Sequence, residues 1–296
     1  MDTALYPIRS DNDPRFGEAL MPYFTTSDSL KLHYTDAGDG LPILCLAGLT
    51  RCGRDFDFVT PHLSGNRLIK LDYRGRGGSD WAEDFTTYSI PREAQDVIEL
   101  LDHLGLEKVA ILGTSRGGLN AMFLAATAKH RVMGIALNDV GPKLEQSGLD
   151  FIADYLGRRP AAKTYEQAAE MRDRTAKGFA NVPMSRWLDE ARILYSQTDT
   201  GLDLRYDPKL RDAVMAGFKS GAATEAWPLF QTCAGLPMAL IHGANSDLLS
   251  RDTALEMKAR MPTMILTHVP DRAHIPFLDE PEAVGALHAW IAEMTS

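Results

Sequence analysis

The chain has 296 residues, 45% of them apolar and 24% charged, which is the composition of a soluble globular protein long enough to bury one large core. Its net charge of −9 argues against nucleic acid or an anionic membrane as a partner, since both are held by a basic face that displaces counterions. Residues Met1 to Arg15 carry Asp2, Arg9, Asp11, Asp13 and Arg15 with no long apolar run, so neither a signal peptide nor a membrane anchor is expected, and the expected compartment is the cytoplasm.

Extended pieces at Met21 to Thr26 and Lys31 to Thr35 flank the turn Ser27-Asp28-Ser29 and predict an antiparallel hairpin. Apolar runs then alternate with helical patterns, a βαβα rhythm that predicts a mostly parallel sheet flanked by helices. Ile43 to Ala47 and Leu68 to Leu71 read as buried strands. Ser89 precedes a helix with the core face Ala94, Val97, Ile98 and Leu101, ending near Gly105. Val109 to Leu112 is a strand, Leu119, Met122, Phe123 and Ala126 recur with helical spacing, and Val132 to Leu137 is the next strand.

From Gly141 to about Gly235 the rhythm breaks into polar helical sequence interrupted by Tyr155, Tyr165, Phe179, Trp187, Tyr195, Phe218, Trp227 and Phe230. This predicts a helical cap over 141–235 inserted in a core made of 1–140 and 236–296. Roughly one in three of these aromatics is expected to line a pocket, the rest packing on the core. Strands follow at Met238 to Ile241 and Met264 to Val269, and a last helix starts at Asp279 with Pro281 in its first turn and the face Val284, Leu287, His288 and Ile291.

Between the strand ending at Leu112 and the helix after it stands Gly113-Thr114-Ser115-Arg116-Gly117. G-x-S-x-G between a strand and a helix is a nucleophile elbow, in which glycines allow close backbone approach and the serine hydroxyl is exposed above the sheet. A serine needs a general base and a group to orient that base. Asp247 lies in the loop after Met238 to Ile241, and His274 lies beyond the strand ending at Val269. The order Ser115, Asp247, His274 is therefore the expected triad. Asp139, after the strand over Val132 to Leu137, is the alternative acid, with tying down the start of the cap as its other role.

With these residues the chain resembles the α/β-hydrolase-fold serine hydrolases of the esterase, lactonase and carbon–carbon hydrolase type, over nearly its whole length. Family-like stretches also include Cys45 to Leu49, Asp72 to Asp80 and Asn138 to Pro142. The resemblance implies acyl transfer to water on a small-molecule substrate, with the Leu49 and Arg116 main-chain amides as oxyanion hole. Ala47-Gly48 stands where relatives carry His-Gly, a departure that removes a histidine and no backbone donor. The expected substrate is an ester or lactone of modest size and partly apolar. The alternatives are a carbon–carbon hydrolase of a vinylogous diketone, whose relatives follow the histidine with an aromatic where this chain has Ile275-Pro276, and a cofactor-free perhydrolase or acyltransferase. A serine in the elbow speaks against haloalkane dehalogenase and epoxide hydrolase chemistry, and an intact triad against a catalytically silent receptor.

Other chemistry-bearing residues have structural readings. Arg51 and Arg54 could hold a substrate carboxylate bidentately, but surface pairing with Asp55 and Asp57 is the preferred reading. His242 is expected to make a supporting hydrogen bond near the acid loop, and Asp271 to be a turn residue. Arg74 is expected to tie loops together. Cys45, Cys52 and Cys233 form no C-x-x-C pair and are expected to be reduced thiols. No metal-binding pattern is present, no cofactor is expected, and homo-oligomerisation is left open.

Overall fold

A computed structural model describes residues 22–219 and 225–295. Met21, the N-terminal stretch read for a targeting segment and the side chain of Phe218 lie outside the described residues. The first half of the chain forms β1 (Tyr23–Thr25), β2 (Lys31–Ala37), β3 (Leu41–Leu46), β4 (Asn66–Leu71), α1 (Ile90–His103), β5 (Val109–Thr114), α2 (Arg116–Thr127) and β6 (Val132–Asn138). The inserted segment carries α3 (Gln146–Tyr155), α4 (Tyr165–Thr175), α5 (Met184–Leu194), β7 (Tyr195–Thr198), β8 (Gly201–Leu204), α6 (Leu210–Lys219) and α7 (Trp227–Gln231). The chain then closes with β9 (Met238–Gly243), α8 (Arg251–Arg260), β10 (Ile265–Val269) and α9 (Pro281–Thr295).

Eight strands form one sheet in the order β1-β2-β4-β3-β5-β6-β9-β10. The pairs β1–β2 and β2–β4 are antiparallel, and the pairs from β4–β3 through β9–β10 are parallel. The central strands are apolar at nearly every position because they are covered on both faces. Leu44, Leu46 and Ile111 pack on one face with Ala94 and Val97 of α1 and Ala121 and Met122 of α2. Ile43, Cys45, Ala110 and Leu112 point to the other face, where Ala283, Leu287 and Trp290 of α9 cover them. Each such fully buried Leu or Ile contributes about 1.5–3 kcal/mol relative to exposure.

Three expectations differ in detail. The buried face of α9 is Ala283, Ala286, Leu287 and Trp290, with His288 exposed; the helix turns its small alanines inward so that the Trp290 indole can reach the Pro237 carbonyl at 3.1 Å. The insertion is not wholly helical, because β7 and β8 pair as a hairpin through Tyr195↔Leu204 to Thr198↔Gly201. Asp199 and Thr200 form the turn between them, and Gly201, at φ +139°, opens β8. At the other end of the insertion, Phe230 and Cys233 belong to the main core beneath the sheet face covered by α2. Residues from Trp227 onward thus already pack with the core, short of the boundary expected at Gly235. Among the described residues no helix is long and apolar enough to cross a membrane.

Candidate active site

The elbow is built on backbone contact. A Cβ on Gly117 would stand 2.0 Å from the Leu46 carbonyl oxygen, and one on Gly113 would stand 2.6 Å from the Gly117 carbonyl carbon, so α2 rises directly off β5 with no room for side chains. Between these glycines Ser115 takes φ 51° and ψ −116°, a conformation L-residues avoid, and its hydroxyl stands clear of the sheet.

Register decides which acid meets it. Thr114 of β5 pairs with Asn138 of β6, and Asn138 pairs with Ile241 of β9, so Ser115 and Asp139 leave adjacent parallel strands at the same level. His274 lies between them: its Nε2 is 3.1 Å from Ser115 Oγ, and its Nδ1 is 2.8 Å from Asp139 Oδ2. Asp139 is fully buried. It also accepts the Gly243 N–H at 2.8 Å and the Ser246 hydroxyl at 2.6 Å. The expectation of Asp247 as the partner of His274 is therefore corrected. Asp247 is exposed, and its carbonyl accepts the Ser147 hydroxyl of α3 at 3.0 Å. Its neighbours Leu248 and Leu249 are buried and Ser246 is turned inward to Asp139, which leaves the Asp247 carboxylate facing out.

The loop carrying His274 is pinned from below and beside. The Asn138 amide donates to Pro276 O at 3.1 Å, and Arg272 pairs with Glu280 at 2.7 Å. Asp271 lies in the preceding turn at φ 55°, as expected, its carboxylate accepting from Asn181. His242 supports the acid loop from behind: its Nε2 bonds Leu249 O at 2.9 Å and its Nδ1 faces His268 Nδ1 at 2.8 Å. Burial, with the charge of His242 and Arg251, lowers the His268 pKa.

The main-chain N–H groups of Leu49 and Arg116 have no hydrogen-bond acceptor among the described residues. Gly48 lies against Ser115: a Cβ there would be 3.8 Å from Ser115 Cβ. Leu49 and Arg116 are joined by a buried ionic network that the sequence does not reveal. Arg76 donates from Nε to Leu49 O at 2.8 Å and pairs through Nη1 with Glu93 Oε1 at 2.8 Å. Glu93 Oε2 accepts from Arg116 Nε at 2.7 Å and from Asn120 at 3.0 Å. Burial pushes the Glu93 carboxyl up, but the guanidinium groups of Arg116 and Arg76 outweigh it and hold the pKa below its ordinary value. One carboxylate thus links the residues Leu49, through Arg76, and Arg116. The rest of the Asp72 to Asp80 stretch is structural: Asp72 accepts the N–H groups of Gly53 and Gly78 at 2.7 and 2.9 Å, and buried Arg74 joins Asp96 to Asp28.

Arg51 is committed to carboxylates of the protein itself, Asp55 at 2.6 Å and Glu190 of α5 at 2.6 Å. Arg54 lies near Asp57 at 3.9 Å. Cys45, Cys52 and Cys233 are buried free thiols. Among the described residues no group of three His, Cys, Asp or Glu side chains is placed to hold a metal.

The chain matches the family of the alpha/beta hydrolase fold over residues 42–281. It is 37% identical over 252 residues to a 3-hydroxybutyrate-oligomer hydrolase of Cupriavidus necator, covering 82% of this chain and 85% of that one. It is 25% identical to a putative 2-succinyl-6-hydroxy-2,4-cyclohexadiene-1-carboxylate synthase of Bacillus subtilis over 89% of this chain and 95% of that one. Among solved structures, an alpha/beta hydrolase from Novosphingobium aromaticivorans superposes with a TM-score of 0.84 at 36% identity, covering 92% of this chain and 97% of that one. With the elbow, the strand order and these relatives in agreement, the chain belongs to the α/β-hydrolase fold family and is a hydrolase.

Proposed function

We propose that the chain is a serine hydrolase that cleaves linear esters of short hydroxy acids through an acyl-serine. The observation that carries this reading is the relay from Ser115 Oγ to His274 Nε2 at 3.1 Å and from His274 Nδ1 to Asp139 at 2.8 Å. Ser115 attacks the ester carbonyl while His274 Nε2 takes its proton, and Asp139 holds the imidazole and stabilises the imidazolium. The Leu49 and Arg116 amides stabilise the oxyanion. His274 returns the proton to the leaving alkoxide, then activates the water that releases the acid and restores Ser115. The substrate class is supported by the relative that acts on 3-hydroxybutyrate oligomers at 37% identity.

The test pairs intact mass after fluorophosphonate labelling with turnover of the linear 3-hydroxybutyrate dimer, short aryl esters, lactones and a vinylogous diketone. Labelling of the wild type, none of Ser115→Ala, and cleavage of the dimer are expected. A full adduct on Ser115→Ala refutes the nucleophile, and turnover confined to the diketone replaces ester cleavage by carbon–carbon hydrolysis.

A further inference from the structure

In the inserted segment, Arg172 is a half-buried cation against which no carboxylate is placed, unlike the exposed Arg158, Arg174 and Lys177. Arg172 on α4 makes no ion pair and no side-chain hydrogen bond among the described residues. Instead its guanidinium carbon stands 5.7 Å from the ring centre of Phe179 and 5.6 Å from that of Trp187. Both rings continue to Phe277, at 5.7 and 5.8 Å, on the segment that carries His274. Glu190, on the same helix α5 as Trp187, is engaged by Arg51 at 2.6 Å. Arg51 Cγ in turn is 3.3 Å from where a Gly48 Cβ would be, and Ser115 Cβ is 3.8 Å from that same point. The rings against Arg172 thus reach the segment of the base through Phe277, and α5, which carries Trp187, reaches the nucleophile's side through Glu190 and Arg51.

We propose that Arg172 anchors a substrate carboxylate, so that the enzyme prefers esters whose alcohol or acyl portion ends in a free acid. This rests on the proposed ester reading for the identity of the bond, while the anchor itself is a binding property. The contrast with Arg51 is the argument. Arg51 has two carboxylates, and although burial opposes its charge, Asp55 and Glu190 raise its pKa well above the ordinary value. Burial lowers the pKa of Arg172; Glu190, Tyr155 and Tyr195 counter it from a distance and Arg51 adds to it. A guanidinium stays charged at neutral pH even so, so its site carries an unmatched cation that an incoming carboxylate would neutralise. The planar fork of arginine, backed by aromatic faces, is suited to bidentate capture of a carboxylate.

The experiment measures binding with the nucleophile removed. In Ser115→Ala protein, tryptophan fluorescence is titrated with the 3-hydroxybutyrate dimer as free acid and as its terminal carboxamide. The preference for the acid is compared in Ser115→Ala, Ser115→Ala/Arg172→Gln and Ser115→Ala/Arg172→Lys. Loss of a charge-assisted bidentate contact predicts that Arg172→Gln lowers the acid-to-carboxamide preference by about 10- to 100-fold, with Arg172→Lys between the two. Using the ratio cancels general damage to the fold. An unchanged ratio in Arg172→Gln, equal affinities for acid and carboxamide, or no binding of the acid overturns the anchor. Because no bond is cleaved, these outcomes are separate from failure of the ester reading, which is decided by labelling and turnover of the wild type.

Discussion

Replacing Asp139 by asparagine removes one negative charge and changes nothing in size, and the structure specifies what that costs. Three donors converge on the carboxylate: the Gly243 amide at 2.8 Å, the Ser246 hydroxyl at 2.6 Å and His274 Nδ1 at 2.8 Å. An amide has one acceptor oxygen, so at least one of these donors is left against an N–H₂ or without a partner in a fully buried site. An unsatisfied buried polar group costs about 1–3 kcal/mol of stability. If the amide nitrogen faces His274, the ring is held in the tautomer that cannot accept the Ser115 proton, and the loss in kcat is on the order of 10⁴-fold. Asp247→Asn changes an exposed side chain, and its effect on stability is expected within about 0.5 kcal/mol with kcat near wild type. Steady-state turnover of a short aryl ester, with urea unfolding of both variants, measures the two effects separately. A loss of more than 100-fold in Asp247→Asn, with Asp139→Asn near wild type, would refute the assignment drawn from the strand register.

Glu93→Gln withdraws the carboxylate shared by Arg76 and Arg116 and is expected to destabilise the fold by about 3–5 kcal/mol, the cost of leaving buried guanidinium groups uncompensated. Because those arginines brace Leu49 and the first turn of α2, kcat should also fall about tenfold or more through a looser oxyanion hole; unchanged kcat in the folded variant would sever that link. His268, whose pKa is lowered below the ordinary 6.5, binds its proton more weakly in the folded state than in the unfolded one. Stability should therefore decline as pH falls through about 6.5 and stop declining below the folded-state pKa. Thermal melts from pH 7.5 to 5 should show a smaller decline for His268→Gln, and identical slopes would remove His268 as a cause.

Ser115 and His274 were legible because their signals are local, a strand with a sharp turn and helix in one case and a strand followed by a loop in the other. The acid was not legible in the same way. Asp139 and Asp247 both follow apolar strands, and what separates them is the lateral pairing of Thr114 with Asn138, a relation between segments remote in sequence. The ionic network was hidden for a related reason. Glu93 and Asp96 lie on the buried face of α1 beside Ala94 and Val97, and charged residues on such a face become intelligible only when Arg74, Arg76 and Arg116 arrive from β4's loop and the elbow. Arg51 and Arg54 drew notice as a local pair near the candidate oxyanion residue, whereas the half-buried arginine with no carboxylate against it is Arg172, because an absent partner is a property of tertiary structure alone. Among the inserted aromatics, sequence could not separate Phe179 and Trp187, whose rings meet Phe277 on the segment of His274, from Phe230 in the core.

Backbone strain strengthens the reading of the relay. Ser115 and Asp139 are both non-glycine residues at positive φ, 51° and 53°, positions that cost of order 1–3 kcal/mol each in L-residues. They sit at corresponding ends of neighbouring strands. The Ser115 N–H bonds Asn138 O at 3.0 Å and the Asp139 N–H bonds Ile241 O at 2.8 Å, so the ladder continues one step past each strand and holds the two turns in place. A carboxylate needed only to tie down the insertion would reach its partners from an ordinary extended strand end. Turning the backbone instead aims Asp139 along the row of strand ends toward β9 and His274, as the turn at Ser115 aims its hydroxyl upward. The same backbone bonds that end the sheet fix the donor–acceptor geometry of the relay, so the spacing of Ser115, His274 and Asp139 is set by the strand ladder and not by side-chain packing alone.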